Sequence, residues 1–455
     1  MPPSVKIVDE ARVAVPATAA LPRDPLRLSA LDALWVALPL IQRVLIFEGA
    51  GGQLPPFASV VAALRASLAE TVARFPPLAG RIVHLPSTGD AAIDCTERGV
   101  AGGVRFLVAE SDDDSAEAAQ LAGDPDHDVE AFRLLVPTLD AGELPAETMA
   151  AQVTRLPGGG VALGVAMHHA VVDGRSVWRF LQAWAAACRG EGEADAAAAP
   201  PTFDRAAVRL PGGEELARSV LRKYAPDLPK ATMAGFLVHP NLSRRTFTVS
   251  AQQMRRLKQR IADHTALPPP SSFVAVVALS WVSFVWARHR AGAVSPDDEV
   301  TVFFFADGRA RLDPPPGDGY FGTCIAGCLA RATARDLLAG EGAGALALAR
   351  AAAAVAGEVR RAAEEPLALW DWMEVVERVD LARMANVSAS TRFPAYEASD
   401  FGWGPPSRTE LVTMNHDGQI VLLAGKGGAG AVQASVSIHP AQMDAFKAHF
   451  LSYLG

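Results

Sequence analysis

Two histidines, an aspartate and a glycine fall within one nine-residue stretch, Met167-His168-His169-Ala170-Val171-Val172-Asp173-Gly174-Arg175. An imidazole is the side chain best suited to take a proton near neutral pH, provided the ring is held still and within reach of the proton it removes. Side chains alternate along a strand, so His169 shares a side with Val161, Val165 and Met167 while His168 points the other way. Only one of the pair therefore reaches a given cavity, and His169 is the candidate base. His-x-x-x-Asp followed by glycine sets a carboxylate across one tight turn from that ring. Asp173 could then orient the imidazole, as the acid of a triad does. A histidine pair beside an apolar strand is also a common packing arrangement. A metal site would need third and fourth ligands, and no His, Cys, Asp or Glu cluster nearby supplies them.

The flanking sequence shows what must position this turn. Val161 to Met167 is an apolar run that reads as a buried strand, and Met149 to Arg155 reads as its hairpin partner across Pro157 and three glycines. Beyond the turn, Val177, Leu181, Trp184 and Cys188 recur at helical spacing. Earlier in the chain, Ser59 to Arg74 is an amphipathic helix with Ser59 as its expected cap. Val5 to Val15, Arg81 to Leu85, Val104 to Ala109 and Glu130 to Val136 read as strands. After the central helix, residues 189–205 combine charge, small residues and two prolines, as a surface connector does. In the second half, Arg245 to Val249 and Val300 to Ala306 read as strands. Ser250 and Gln253 have capping-box spacing at the head of a helix. Ser271 and Ser272 introduce the apolar helix Phe273 to Arg288. Ala345 to Arg383 reads as helix broken near Pro366. Three strands (Glu410 to Met414, Gln419 to Ala424, Val432 to Ile438) and a last helix close the chain. Gly425-Lys426-Gly427-Gly428 lacks the spacing of a phosphate-binding loop and reads as a hairpin. Strands and helices intermix in both halves, which gives an α+β class.

A second signature lies far downstream, Asp400-Phe401-Gly402-Trp403-Gly404, in which two glycines around an aromatic mark a tight turn. In this order and at this separation, the two motifs resemble those of the plant BAHD acyl-CoA-dependent acyltransferases. Leu28-Ser29-Ala30-Leu31-Asp32 and Phe75-Pro76-Pro77-Leu78-Ala79-Gly80-Arg81 are similar to that family's entry segment and its Pro-Leu-Ala-Gly-Arg turn. Tyr320-Phe321-Gly322-Thr323-Cys324 is similar to the Tyr-Phe-Gly-Asn-Cys block of the clade that acylates phenolic glycosides, often with malonyl-CoA. Thr323 is a departure from that block, and Pro405 stands where Arg or Lys commonly follows the second motif.

The resemblance implies two similar domains of the chloramphenicol-acetyltransferase type, each a mixed sheet with flanking helices, with a channel between them. Residues 1–190 would form the first, 191–220 a crossover linker and 221–455 the second. It further implies direct attack by an alcohol on a CoA thioester, with His169 as general base. Asp173 would then pair with an arginine of the second domain, Arg309 first and Arg311 second, rather than act as a triad acid. The intermediate's oxygen needs a donor, for which Ser388, Ser390 and Thr391 are candidates. Asp400, Gly402, Trp403 and Gly404 would have a structural role. For the CoA phosphates, Arg256, Lys258 and Arg260 on the helix after Ser250 are candidates, with Ser271 and Ser272; such charges also serve as a solvated helix face. Arg175 could attract a malonyl carboxylate or be a first-turn surface residue.

The resemblance thus implies acyl-CoA, with malonyl-CoA first, as co-substrate and not as a resident cofactor, and a phenolic glycoside as acceptor. A hydroxycinnamoyl-CoA-dependent O- or N-acyltransferase is the rival within the enzyme class. A catalytically silent ligand-binding paralogue is the rival outside it, against which intact His169 and Asp173 argue. Composition narrows the rest. The 455 residues are half hydrophobic, and the net charge is -8, from 42 basic and 50 acidic side chains, which disfavours general binding to nucleic acid. The N-terminus lacks a secretory pattern, and Phe273 to Ala287 is shorter than the roughly 20 residues of a membrane span. Four scattered cysteines, Cys95, Cys188, Cys324 and Cys328, suit reduced thiols. A cytoplasmic monomer without membrane or nucleic-acid partners is the expectation.

Overall fold

The computed structural model describes residues 5–48, 54–112, 117–123, 126–191, 199–232, 241–265, 268–338, 344–413, 415–426 and 430–455. Two six-stranded mixed sheets organise them. The first runs Val5–Val13, Val104–Ser111, Met149–Arg155, Val161–Met167, Ile41–Phe47, Arg408–Leu411. Its one parallel pair is Val104–Ser111 with Met149–Arg155. The second runs Ser243–Val249, Val432–Ile438, Gln419–Ala424, Met384–Ala389, Glu299–Asp307, Ile325–Thr333, with Met384–Ala389 parallel to both neighbours. A small sheet of Leu26–Arg27, Asp90–Asp94, Arg81–Leu85 and Ala146–Glu147 flanks the first. The α+β class of the sequence is the class observed.

Helices cover the sheets where their apolar stripes demand it. Phe57–Arg74 and Gly174–Cys188 pack together over the first sheet, with Val60, Leu64, Leu68, Leu181 and Trp184 in one core. Trp184 donates its indole N–H to the Leu64 carbonyl at 3.2 Å, so the one polar atom of a buried ring is satisfied. Ser272–Arg290 is apolar on every face and is buried as the central helix of the second core. Among the described residues it is the one helix long and apolar enough to cross a membrane, yet most of it lies inside the protein.

Several expectations need correction. The helix Phe57–Arg74 begins two residues before Ser59, with Pro56 at its N-cap, so Ser59 caps nothing. Val129–Leu134 is a helix, not a strand: Asp128 accepts from the Ala131 amide, and Val129, Phe132 and Leu135 turn inward at a spacing of three. The long helix ends at Glu364, and only Trp372–Val376 and a 3₁₀ turn at Leu381–Arg383 follow it. The strand expected at Glu410 to Met414 is Arg408–Leu411, and Met414 lies outside the described residues, as do Gly427 and Gly428 of the Gly425 hairpin.

The boundaries also shift. Arg408–Leu411, expected in the second domain, pairs with Ile41–Phe47 of the first, because that edge would otherwise leave its amides and carbonyls unpaired. Within the expected linker 191–220, residues 192–198 lie outside the described set, and the remainder is docked rather than free. Arg205 is buried, and the helix Gly213–Tyr224 sends Ala217, Val220 and Leu221 into the first core. The chain thus crosses between halves three times.

The strand that delivers His169 is itself closely packed. A Cβ at Gly164 would lie 2.0 Å from the Leu135 carbonyl oxygen, a backbone atom that cannot swing away. Gly164→Ala is therefore expected to cost on the order of 1–3 kcal/mol, read as a lower melting temperature and less soluble protein. A variant that melts like the wild type would show that Leu135 and its helix yield freely.

Candidate active site

Val161–Met167 ends, the chain turns through His168 and His169, and Gly174–Cys188 begins with Asp173 as its N-cap, Oδ1 accepting from the Ser176 amide at 3.0 Å. Glycine is needed next, since a Cβ at Gly174 would meet the Phe393 ring at 3.0 Å. His168 turns inward, fully buried, and its Nδ1 accepts from the Ala170 amide at 3.2 Å. His169 faces the opposite way, as strand alternation requires.

Asp173 does not reach the imidazole as a triad acid. Its Oδ2 accepts from Arg309 Nη1 at 2.7 Å and from the Cys324 amide at 3.2 Å, with both side chains of the ion pair buried. Arg309 spends all its donors in the same pocket: Nε on the Tyr320 carbonyl, Nη1 on Asp173 and Asp307, Nη2 on the Ser176 hydroxyl and the Gly322 carbonyl. Burial alone would raise the Asp173 carboxyl, but Arg309 and the two amides hold it below its usual range. Of the two arginines anticipated from sequence, Arg309 is the partner and Arg311 is not.

The Tyr320–Cys324 block is wedged against the catalytic turn by further bonds that sequence reading missed. Thr323 Oγ1 donates to the His169 carbonyl at 3.3 Å, and its amide donates to Asp32 at 3.1 Å. Asp32, fully buried, also accepts from the Ser29 hydroxyl and lies 3.4 Å from Arg205 Nε. Arg205 in turn bonds the Phe321 and Val171 carbonyls. Ser29 and Asp32 form a capping box that sequence reading did not note, and the Asp32 carboxylate reaches 291 residues along the chain.

The ring of His169 lies flat on Trp35, centroids 3.5 Å apart and planes 7° from parallel. Trp35 also touches Phe305 and Trp372 of the second half. This stack, too, escaped sequence reading, because nothing in the spacing of Trp35 and His169 connects them. Nδ1 of His169 is sealed without a hydrogen-bond partner of ordinary geometry, while Nε2, unbonded, keeps the access that the residue's 7% exposure provides. Burial drives the His169 pKa down to about 4, against the opposing pull of its own carbonyl and of Asp173. His168 falls further, to about 3, through burial and the neighbouring His169.

The remaining candidates divide. Ser388, Ser390 and Thr391 are half-buried at the end of Met384–Ala389, which pairs beside Phe304, and Phe393 of the same segment touches Gly174. Ala389 between them adopts φ 66°, a left-handed conformation that costs a non-glycine residue of order 1 kcal/mol or more. Asp400 accepts from the amides of Gly402 and Gly404, both at positive φ, and Phe401 and Trp403 pack on Trp184 and Phe47. This is a loop clamped to the first domain. Arg256 is exposed, and Arg260 donates to the Tyr453 carbonyl at 3.1 Å. Lys258 is half-buried on the same helix, and Ser271 caps Ser272–Arg290. No contact joins these five to the His169 turn among the described residues. Arg175 is partly exposed and paired with Asp307 at 3.2 Å and Asp318 at 3.7 Å.

Two mixed sheets meet at a histidine that is 7% exposed and stacked on Trp35, and the chain's relatives are acyltransferases that use CoA thioesters. The chain matches the Transferase family over residues 5–452 and belongs to it, the BAHD acyltransferases. It is 30% identical to a malonyl-CoA:anthocyanidin 5-O-glucoside-6''-O-malonyltransferase of Arabidopsis thaliana, covering 98% of each chain. It is 27% identical to phenolic glucoside malonyltransferase 1 of the same plant, over 98% of this chain and 96% of that one. Among solved structures, vinorine synthase superposes with a TM-score of 0.73 at 19% identity, over 99% and 98% of the two chains. TRI101 of F. sporotrichioides, solved with coenzyme A and T-2, gives 0.70 at 17%, over 95% and 100%.

Two outcomes follow from the geometry. Asp173→Ala strands Arg309 without its counter-charge and is expected to cost about 3–5 kcal/mol, seen as a depressed melting temperature. Asp173→Asn keeps one acceptor oxygen, enough for either the Ser176 amide or the Arg309 and Cys324 donors but not for both sets, and should melt between the alanine variant and the wild type. Equal melting of the alanine variant and wild type would remove the stapling role. As for pH, a base whose pKa is lowered stays in its working, neutral form as acid is added. The value of kcat/KM should hold level from neutrality and fall with a midpoint at about 4. Stability should decline through the same window, between the ordinary 6.5 and about 4, because the unfolded ring takes up its proton first. Trp35→Ala opens the ring to water and should move the kinetic midpoint upward; a profile unmoved by that change would show that the stack does not set the ring's acidity.

Proposed function

We propose that the protein transfers a malonyl group from malonyl-CoA to a sugar hydroxyl of a flavonoid or other phenolic glycoside. The observation that carries the chemistry is the His169 ring, neutral, stacked on Trp35 and open at Nε2. The donor and acceptor classes are supported by the activities of the malonyltransferase relatives and by the Tyr320–Cys324 block.

In this reading, Nε2 takes the proton of the incoming hydroxyl as its oxygen attacks the thioester carbonyl. The carbon–sulfur bond then breaks, and the CoA thiolate leaves with the proton returned from the imidazolium. No acyl-enzyme forms. The tetrahedral oxygen is charged only in passing, and a hydroxyl of Ser388, Ser390 or Thr391 is the proposed donor to it. The strained backbone at Ala389 fixes where those hydroxyls stand. Thr323 steadies the backbone of the turn by donating to the His169 carbonyl. Asp173 and Arg309 hold the turn from behind, and the Asp400–Gly404 loop holds the helix.

His169→Ala is expected to lower kcat by roughly 10²- to 10⁴-fold with little change in KM for the acyl donor, measured as thiol release. Full turnover in that variant would place the base elsewhere. For the substrates, the purified protein is offered malonyl-, acetyl- and coumaroyl-CoA with a panel of phenolic glycosides and amines, and products are read by mass. A malonyl increment on a hexoside is the expected result. Better use of coumaroyl-CoA, or an amide product such as the 26%-identical agmatine coumaroyltransferase of Arabidopsis thaliana would form, overturns the donor and acceptor assignment while leaving His169 as base.

A further inference from the structure

The crossover between the halves does more than connect them. Residues 199–205 run alongside the loop that leads into Tyr320–Cys324, and the two are paired. The Thr202 amide donates to the Gly319 carbonyl at 2.8 Å, and the Phe321 amide donates back to the Thr202 carbonyl at 2.9 Å. A Cβ at Gly319 would overlap the Pro200 carbonyl oxygen, so glycine is what lets the segments come this close. Phe203 meets the Phe321 ring edge-on, centroids 5.9 Å apart. From the other side Arg179, on the helix that Asp173 caps, donates to the Gly319 carbonyl at 2.7 Å and to the Ala199 carbonyl. A stretch expected to be a surface connector is thus held by both halves.

Arg205 is where this stretch reaches the catalytic turn. The residue is 5% exposed, and its guanidinium fills the space that Gly322 leaves, since a Cβ there would overlap Nη1. Nη2 donates to the carbonyl of Val171, midway between His169 and Asp173, at 3.2 Å. Nη1 donates to the Phe321 carbonyl, two residues before Thr323, whose hydroxyl holds the His169 carbonyl at 3.3 Å. Nε lies 3.4 Å from Asp32, which also receives the Thr323 amide. Burial works against the charge, but Asp32 outweighs it and keeps the guanidinium pKa above its ordinary value. The His169 and Val171 carbonyls, which flank Ala170, are therefore each held by a donor from outside the turn.

A base works only while its nitrogen is aimed at the proton it takes, and a displacement of about 1 Å can cost about 100-fold in rate. Asp173 and Arg309 anchor the far end of the turn that aims His169. Arg205 anchors its middle.

We propose that Arg205 is a positioning residue for His169, so that turnover depends on the docked crossover. The inference rests on His169 being the base and not on the identity of the acyl group.

The test uses the purified full chain with whichever of malonyl-, acetyl- and coumaroyl-CoA it turns over fastest, and one phenolic glycoside as acceptor. Arg205→Met and Arg205→Lys are compared with the wild type by kcat, KM for the acyl-CoA, the pH midpoint of kcat/KM and melting temperature, with rates read below melting. In folded Arg205→Met, kcat is expected to fall at least about 10-fold with KM unchanged. The midpoint should rise from about 4, as a ring shifted off Trp35 meets water. Arg205→Lys, which keeps a charge for Asp32 but is a point donor and not a fork, should recover part of the lost kcat. An arginine with a structural role alone would lower the melting temperature and nothing else. Wild-type kcat in the folded methionine variant, or a loss confined to KM, overturns the assignment. If neither Arg205 variant folds, Phe203→Ala decides, because it loosens the crossover while leaving Arg205 in place: wild-type kcat overturns the inference, and a fall at constant KM supports it. Full turnover in His169→Ala fails the base reading and takes the role of Arg205 with it. An inactive His169→Ala beside Arg205 variants of wild-type kcat fails this inference alone.

Discussion

Asp173 has no access to water, and its three donors come from both sides of a junction: the Ser176 amide on its own helix, and Arg309 and the Cys324 amide from the second half. The helix that starts here, the turn that carries His169 and the loop that carries Arg309 are all fixed by one buried carboxylate. A surface ion pair could not do this, because solvent would compete for every donor. Buried, each partner is costly to leave alone, so the two halves are held in one relative position. Asp32 repeats the device nearby, joining Ser29, Arg205 and Thr323. The catalytic carbonyl of His169 is thus held through Thr323 by a second buried acid.

With its aspartate committed elsewhere, His169 takes its orientation from Trp35. The stack covers one face of the ring and, with the surrounding core, keeps it neutral; an adjoining carboxylate would have raised its pKa. A neutral, desolvated imidazole is a weaker base than a triad histidine but is unprotonated across the physiological range.

Much of this was legible in the chain. Period-two and helical spacing located most strands and helices, the hairpin before the turn, and the capping box at Ser250. They failed where local pattern was ambiguous. Val129–Leu134 looked like a strand because a short apolar run fits either element, and only the Asp128 cap and packing against Phe132 decided it. The joining of Arg408–Leu411 to the first sheet could not be read, since strand pairing is a matter of which edge lies open after the rest has folded. The motif residues His169, Asp173 and Asp400–Gly404 were recognisable. The contacts of Trp35 with His169 and of Arg205 with Asp32 were not, because each joins residues more than a hundred apart along the chain.

By itself the sequence determined the class of the fold, because local periodicity restricts how the chain can run, and the resemblance of its motifs to a known family pointed to Arg309 as the arginine that answers Asp173. Only the tertiary structure decided that Trp35 covers the His169 ring, that Thr323 and Asp32 hold the His169 carbonyl, and that Arg175 is paired with Asp307. Burial and counter-charge belong to a point in space, and that point is assembled from segments whose separation along the chain carries no mark of their meeting.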